Sequence, residues 1–182
     1  GGRVAILGAT GSIGTATLDV IASLRRHDPD RDWRAWSISG HSRVETLGQL
    51  AADSDPLPDT IIVSDPERES SARKCLQTHG VHDRCRLDVG ADALVRAATD
   101  PSADTVVAAI VGRAGLESTL EAVRAGKRVG LANKETLVVA GPVVTRAALE
   151  SGAELLPIDS EHSAIYQCLA EARSLATTTS RD

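Results

Sequence analysis

Two carboxylates one residue apart, Asp159 and Glu161, follow directly on the apolar stretch Leu155-Leu156-Pro157-Ile158 and are followed by His162. In an extended or turning backbone such residues project to the same side and could share one divalent cation; on a regular helix they would point about 200° apart. Hard oxygen donors of this kind suit Mg²⁺ or Mn²⁺ better than Zn²⁺. Asp-Ser-Glu after a strand is also the pattern of a helix N-cap with an acidic first turn, and that reading stays open. Ser160 is positioned to touch whatever the metal holds, and His162 reads as a surface group or a neighbour of the metal ligands.

A second constellation lies at the other end of the chain, where Gly8-Ala9-Thr10-Gly11-Ser12-Ile13-Gly14 separates the apolar run Arg3 to Leu7 from a helical pattern. In that context glycines permit a tight exit from a strand, close approach of backbone N–H groups to a pyrophosphate, and tight packing of the helix on the sheet. The helix N-terminus adds partial positive charge and unpaired donors. The spacing differs from the commonest dinucleotide fingerprint, and a purely structural turn is the alternative. At the end of the second predicted strand a site for NAD places Asp or Glu. Here the chain reads Gly40-His41-Ser42-Arg43, with donors and no carboxylate, which suits a 2′-phosphate and hence NADPH. Arg43 as a solvated residue opening the next helix is the plain alternative.

Two further motifs fall at predicted strand ends, Val111-Gly112-Arg113-Ala114-Gly115 and Asn133-Lys134-Glu135. Gly112 and Gly115 would let backbone approach the nicotinamide half of a cofactor. Asn133 and Glu135 can hydrogen-bond ribose or amide, and Lys134 offers a positive charge near phosphate or a developing oxyanion, although a lysine there is as readily a surface charge. Ligands of open α/β sheets bind outside the carboxyl ends of the strands, so motifs at those ends point to a single cleft.

The elements that must position these residues alternate short β-branched runs with longer helical patterns. Strands are predicted at 3–7, 33–39, 60–64, 84–89, 105–111, 128–132 and 153–158, and helices at 44–52, 66–79 and 91–99, with others from Ser12, Leu116, Lys134 and Ser163. Ser12 is expected to cap the first helix, whose apolar residues Ile13, Ala16, Val20, Ile21 and Leu24 recur at helical spacing. Gly141-Pro142 should divide the helix from Lys134 in two. The fold expected is α/β and Rossmann-like: a doubly wound, mostly parallel sheet with helices on both faces. The 182 residues suffice for one well-buried domain. A net charge of −5, no Phe and one Tyr disfavour nucleic acid and anionic membrane as partners. The lack of an apolar run near 20 residues or of a secretory pattern at the start leads to a cytoplasmic expectation. Three widely spaced cysteines, Cys75, Cys85 and Cys168, argue against a disulfide framework or a zinc site.

The blocks GATGSIG, AAIVGRAGL, GLANKE and PIDSEHSAIYQCL, in this order, resemble the 1-deoxy-D-xylulose 5-phosphate reductoisomerase family, down to about Leu169 and over the amino-terminal part of the family's length. The resemblance implies conversion of 1-deoxy-D-xylulose 5-phosphate to 2-C-methyl-D-erythritol 4-phosphate in isoprenoid precursor synthesis by the methylerythritol phosphate route. NADPH and Mg²⁺, Mn²⁺ or Co²⁺ are the implied cofactors, and a homodimer the implied assembly of the full-length protein. By motif, Thr10, Gly11, Ser12 and Ile13 would contact the cofactor phosphates and Asn133, Lys134 and Glu135 the cofactor. Asp159 and Glu161 would be metal ligands, Ser160 and Glu161 would touch substrate, and Lys134 and Glu161 would be the catalytic residues. His41-Ser42 departs from the Lys or Arg followed by Asn that family members often carry. Residues 1–158 are expected to form the NADPH-binding domain, 159–169 the start of a catalytic domain and 170–182 an irregular tail. A third carboxylate ligand and a substrate-phosphate pocket are not visible in the sequence, so this polypeptide alone is expected to bind NADPH weakly and not to turn over. The alternatives are another NADP-dependent dehydrogenase on the same fold, or a non-catalytic nucleotide-binding module.

Overall fold

The computed structural model of the protein describes residues 2–132, 134–159 and 162–168. Asn133, Ser160, Glu161 and the expected tail after Cys168 lie outside the described residues, as do the side chains of Lys134 and Glu135. Strands β1 (Gly2–Leu7), β2 (Trp33–Gly40), β3 (Thr60–Val63), β4 (Arg86–Val89), β5 (Thr105–Ala108), β6 (Arg128–Leu131) and β7 (Glu154–Pro157) alternate with helices α1 (Ser12–His27), α2 (Val44–Asp53), α3 (Glu69–Thr78), α4 (Ala91–Thr99), α5 (Leu116–Arg124) and α6 (Lys134–Ser151). The strands form one sheet in the order β4-β3-β2-β1-β5-β6-β7. Every neighbouring pair is parallel.

That order follows from the handedness of parallel crossovers. The chain steps outward from β1 to β4, returns to β5 beside β1, and steps outward the other way. Right-handed connections then put helices on opposite faces before and after the return. The side chains divide accordingly: Val4, Ile6, Ile38, Ile61 and Val63 pack with residues of α1, α2 and α3. Ala5, Leu7, Ile62, Val106 and Val129 pack with residues of α4, α5 and α6. The central strands are buried on both faces, which is why they read as continuous apolar runs.

Several local expectations are corrected. Ser12 does not cap α1; Gly11 holds the N-cap position in extended geometry without a side-chain cap, and Ser12 is the first helical residue. The α1 stripe holds at Ile13 and Ile21 but not at Ala16 and Val20: Gly14 and Leu18 meet the sheet, while Val20 is 55% exposed. β5 ends at Ala108 and not at Val111, since its partners end opposite it at Leu7 and Leu131. Residues 109–111 thus leave the sheet. Pro66–Arg68 forms a 3-10 turn before α3, started by the Asp65 carboxylate, which accepts from the Glu67 N–H at 3.0 Å. The interruption in α6 is a kink with Ala140 at φ −129°, ψ 17°, two residues before Pro142.

Candidate nucleotide-binding site

The glycine turn occupies the point where strand order reverses, between the carboxyl ends of β1 and β5. Gly8 leaves β1 at φ +91°, and a Cβ there would lie 2.7 Å from the Ala109 carbonyl oxygen, so the two strand exits pass too close for any side chain. A Cβ on Gly14 would come within 2.5 Å of Ala9 Cα, which explains how α1 starts flush against the turn. The turn is tied to β2 by Ser39: its hydroxyl accepts from the Gly8 N–H at 2.9 Å and its carbonyl from the Ala9 N–H at 2.7 Å. Ser39 is therefore a buried pin for the turn and is spent on the protein's own backbone.

Thr15 N–H is bonded to the Gly11 carbonyl, which leaves the amides of Ser12, Ile13 and Gly14 without intrahelical acceptors. Gly11 has no side chain to cap them, and the first turn carries no acidic residue. This is the donor array and the field that a phosphate requires. A cleft of about 590 Å³ opens in front of it, lined among others by Thr10, Gly11, Gly40, His41, Arg43 and Ser64.

At the end of β2, Arg43 sits at the N-cap of α2, and its guanidinium donates to the Thr10 carbonyl across the mouth of the cleft. One guanidinium N–H is so used, and the others remain for an anion. His41 Nδ1 lies 3.0 Å from the Ser64 hydroxyl, which in turn donates to the Gly40 carbonyl at 3.3 Å. Ser42 is exposed and is not among the cleft's lining residues. The acid in the first turn of α2, Glu45, is bonded to His79 at 3.0 Å.

The far wall comes from the exits of β4 and β5, with Leu94, Ala109, Ile110, Val111, Ala114 and Glu117. Sequence reasoning missed Ser64, Leu94 and Glu117, although the rule that ligands lie beyond strand ends marks Ser64, the residue after β3. Gly112, at φ +75°, opens a 3-10 turn, Gly112–Gly115, beside this wall. Gly115 is buried against Ile110, and its carbonyl accepts from Ser118 and Thr119 at 3.2 and 2.6 Å, so it is an internal brace.

Asp159 follows β7 at the same carboxyl edge. Adjacent strands are about 4.8 Å apart, which puts the end of β7 about 10 Å from β5 and about 14 Å from β1. Its carboxylate, 19% exposed, meets His162 Nδ1 at 2.5 Å, and its carbonyl accepts from the Ser163 N–H at 2.9 Å. Asp159 keeps an oxygen donor of the type that suits Mg²⁺, while Ser160 and Glu161, on which the N-cap reading also rests, lie outside the described residues.

A parallel, doubly wound sheet with a glycine turn and a helix N-terminus facing a cleft at the switch point defines a Rossmann-like nucleotide-binding fold. The family model for 1-deoxy-D-xylulose 5-phosphate reductoisomerase matches residues 4–141, and the chain belongs to this family. A 1-deoxy-D-xylulose 5-phosphate reductoisomerase of Rhodopirellula baltica is 64% identical over 178 residues, covering 94% of this chain and 39% of the relative. The enzyme from Zymomonas mobilis, solved in complex with NADPH, superposes with TM-score 0.79 at 42% identity, over 91% of this chain and 41% of the other. A DOX-P reductoisomerase in complex with NADPH, fosmidomycin and magnesium superposes with TM-score 0.79 at 46% identity, over 91% and 38%. The chain spans about two fifths of the length of these relatives.

Proposed function

We propose that this chain is the NADPH-binding part of a 1-deoxy-D-xylulose 5-phosphate reductoisomerase, which forms 2-C-methyl-D-erythritol 4-phosphate with a divalent metal in isoprenoid precursor synthesis. The observation that carries the reading is the cleft's two anion seats, three uncapped amides at the start of α1 and a bridging arginine with no carboxylate at the end of β2. They fit the pyrophosphate and the 2′-phosphate of NADPH. Family membership and the relatives solved with NADPH and magnesium support the same conclusion.

When bound, NADPH supplies hydride and the divalent ion polarises substrate oxygens. The chain's own residues bind and orient. Thr10, Gly11, Ser12 and Ile13 present backbone donors to the pyrophosphate, while Gly40, His41 and Arg43 line the seat of the 2′-phosphate, with Ser42 beside them outside the lining. Ile110 and Val111 line the nicotinamide side of the cleft, with Gly112 opening the turn that follows. Asn133, Lys134 and Glu135, by their place after β6, serve the cofactor, and Lys134 faces developing negative charge. Asp159 and Glu161 hold the metal, Mg²⁺ or Mn²⁺ with Co²⁺ as a substitute, and Ser160 and Glu161 touch the phosphorylated substrate. Residues 1–158 form the nucleotide domain, and 159–169 lead into the catalytic one. The full-length protein works as a cytoplasmic homodimer.

The test is NADPH oxidation by the full-length protein with 1-deoxy-D-xylulose 5-phosphate after metal stripping. Turnover should require substrate, NADPH and restored Mg²⁺ or Mn²⁺ together, and the 182-residue chain should show none. Metal-independent turnover, or preference for NADH, would overturn the reading.

A further inference from the structure

We infer that Glu45, Cys75 and His79, on the outer surface between α2 and α3, form a second metal site, one for a borderline cation such as Zn²⁺. The donor atoms of the three side chains lie within 4.8 Å of one another. Cys75 and His79 stand four residues apart at the end of α3, which puts them on one helical face, and Glu45 reaches them from the first turn of α2. Glu45 Oε1 is 3.0 Å from His79 Nε2. For a tetrahedral ion with Zn–S near 2.3 Å and Zn–N or Zn–O near 2.0 Å, donors are separated by about 3.3–3.6 Å, so inward shifts of about 1 Å suffice. Glu45, with its side chain 77% exposed, is free to make that shift.

Gly48 is what brings the groups together. A Cβ there would collide with Cys75 Sγ and lie 3.1 Å from His79 Cδ2, so any other residue would displace the two donor side chains. Cys75 Sγ donates to the Val44 carbonyl at 3.4 Å and not to His79, which is not the thiol–imidazole pairing of a cysteine nucleophile. Thiolate, imidazole and carboxylate together form a donor set that favours Zn²⁺ over Mg²⁺, and three protein ligands leave one position to water. On binding, the Cys75 S–H bond is replaced by S–metal and its proton leaves to solvent. His79 coordinates through Nε2 with its proton on Nδ1. The ion would clamp the start of α2 to the end of α3, two residues after Arg43.

The experiment is titration of the metal-free chain with Co²⁺ in excess Mg²⁺, which saturates oxygen-only sites. The expected result is a near-ultraviolet thiolate-to-cobalt absorption that saturates at one equivalent and is bleached by Zn²⁺. It should be absent in Cys75→Ser, weakened at least about tenfold in His79→Ala and Glu45→Gln, and unchanged in Cys85→Ser and Cys168→Ser. Circular dichroism checks the fold of each variant. If Cys75→Ser does not fold, His79→Ala, altered at the helix end, decides. No thiolate band, a band that survives in Cys75→Ser, undiminished affinity in His79→Ala, or a band lost with Cys168 would overturn the inference.

Discussion

The chemistry assigned to the cleft depends on a few atoms, and Arg43 is the most exposed to test. Replacing it with Ala removes the cation at the end of β2 together with its bond to the Thr10 carbonyl. A hydrogen bond to a charged group contributes about 1.5–3 kcal/mol, so NADPH affinity should fall about tenfold to a hundredfold while NADH affinity changes little. Fluorescence titration with both nucleotides measures this, and an unchanged preference would remove Arg43 from the 2′-phosphate site. The cysteines offer a different check. Burial, then the hydrogen bond and charge of Glu45, push the Cys75 thiol up to about 11, and burial raises Cys85 as well. Thiolate is the reactive form and a raised value removes it near neutral pH. At pH about 8, iodoacetamide should therefore modify exposed Cys168 first and reach Cys75 and Cys85 only on unfolding. Cys75 reacting as fast as Cys168 by mass spectrometry would contradict its placement.

Among the elements, the β1–α1 turn is held by its neighbours more than by its own sequence. Ser39→Ala leaves the Gly8 N–H without its partner in a part-buried position, which should cost about 1–3 kcal/mol in denaturant unfolding and weaken nucleotide binding in parallel. Gly14→Ala should be harsher still, because the added methyl meets backbone and not a flexible side chain. The alternation of strands and helices was legible because central strands buried on both faces must be apolar throughout, as Ile61-Ile62-Val63 is. The Gly141-Pro142 break in α6 was legible from the missing donor of proline. Strand lengths were not. The run from Thr105 to Val111 is equally apolar along its length, and only the ends of β1 and β6 stop β5 at Ala108. The cap of α1 was misassigned because a serine after glycines resembles an N-cap, whereas here the glycine takes that place and leaves the amides free. The role of Ser39 as a pin was not legible either, because its bond to Gly8 joins residues far apart in the chain. The cluster at Glu45, Cys75 and His79 was hidden in the same way, since two helices must meet before the spacing exists.

At the scale of the whole molecule, the parallel sheet brings every strand exit to one edge, so motifs scattered from Gly8 to Asp159 share a rim. The glycine turn and Arg43 share the cleft between β1 and β5, and Asp159 stands further along that rim behind β7. The relatives are more than twice as long as this chain. Binding by the chain alone should be weak, which calls for a readout that locates contact regardless of affinity. Titration of the isotopically labelled chain with NADPH, followed by amide chemical shifts, provides it. The account predicts shifts concentrated at Gly8, Gly11 to Gly14, Gly40 to Arg43 and Ala109 to Ala114, with the β2-end changes reduced for NADH. Shifts confined to the amino-terminal edge of the sheet or to the outer surface of α5 and α6, or none at millimolar nucleotide, would contradict it.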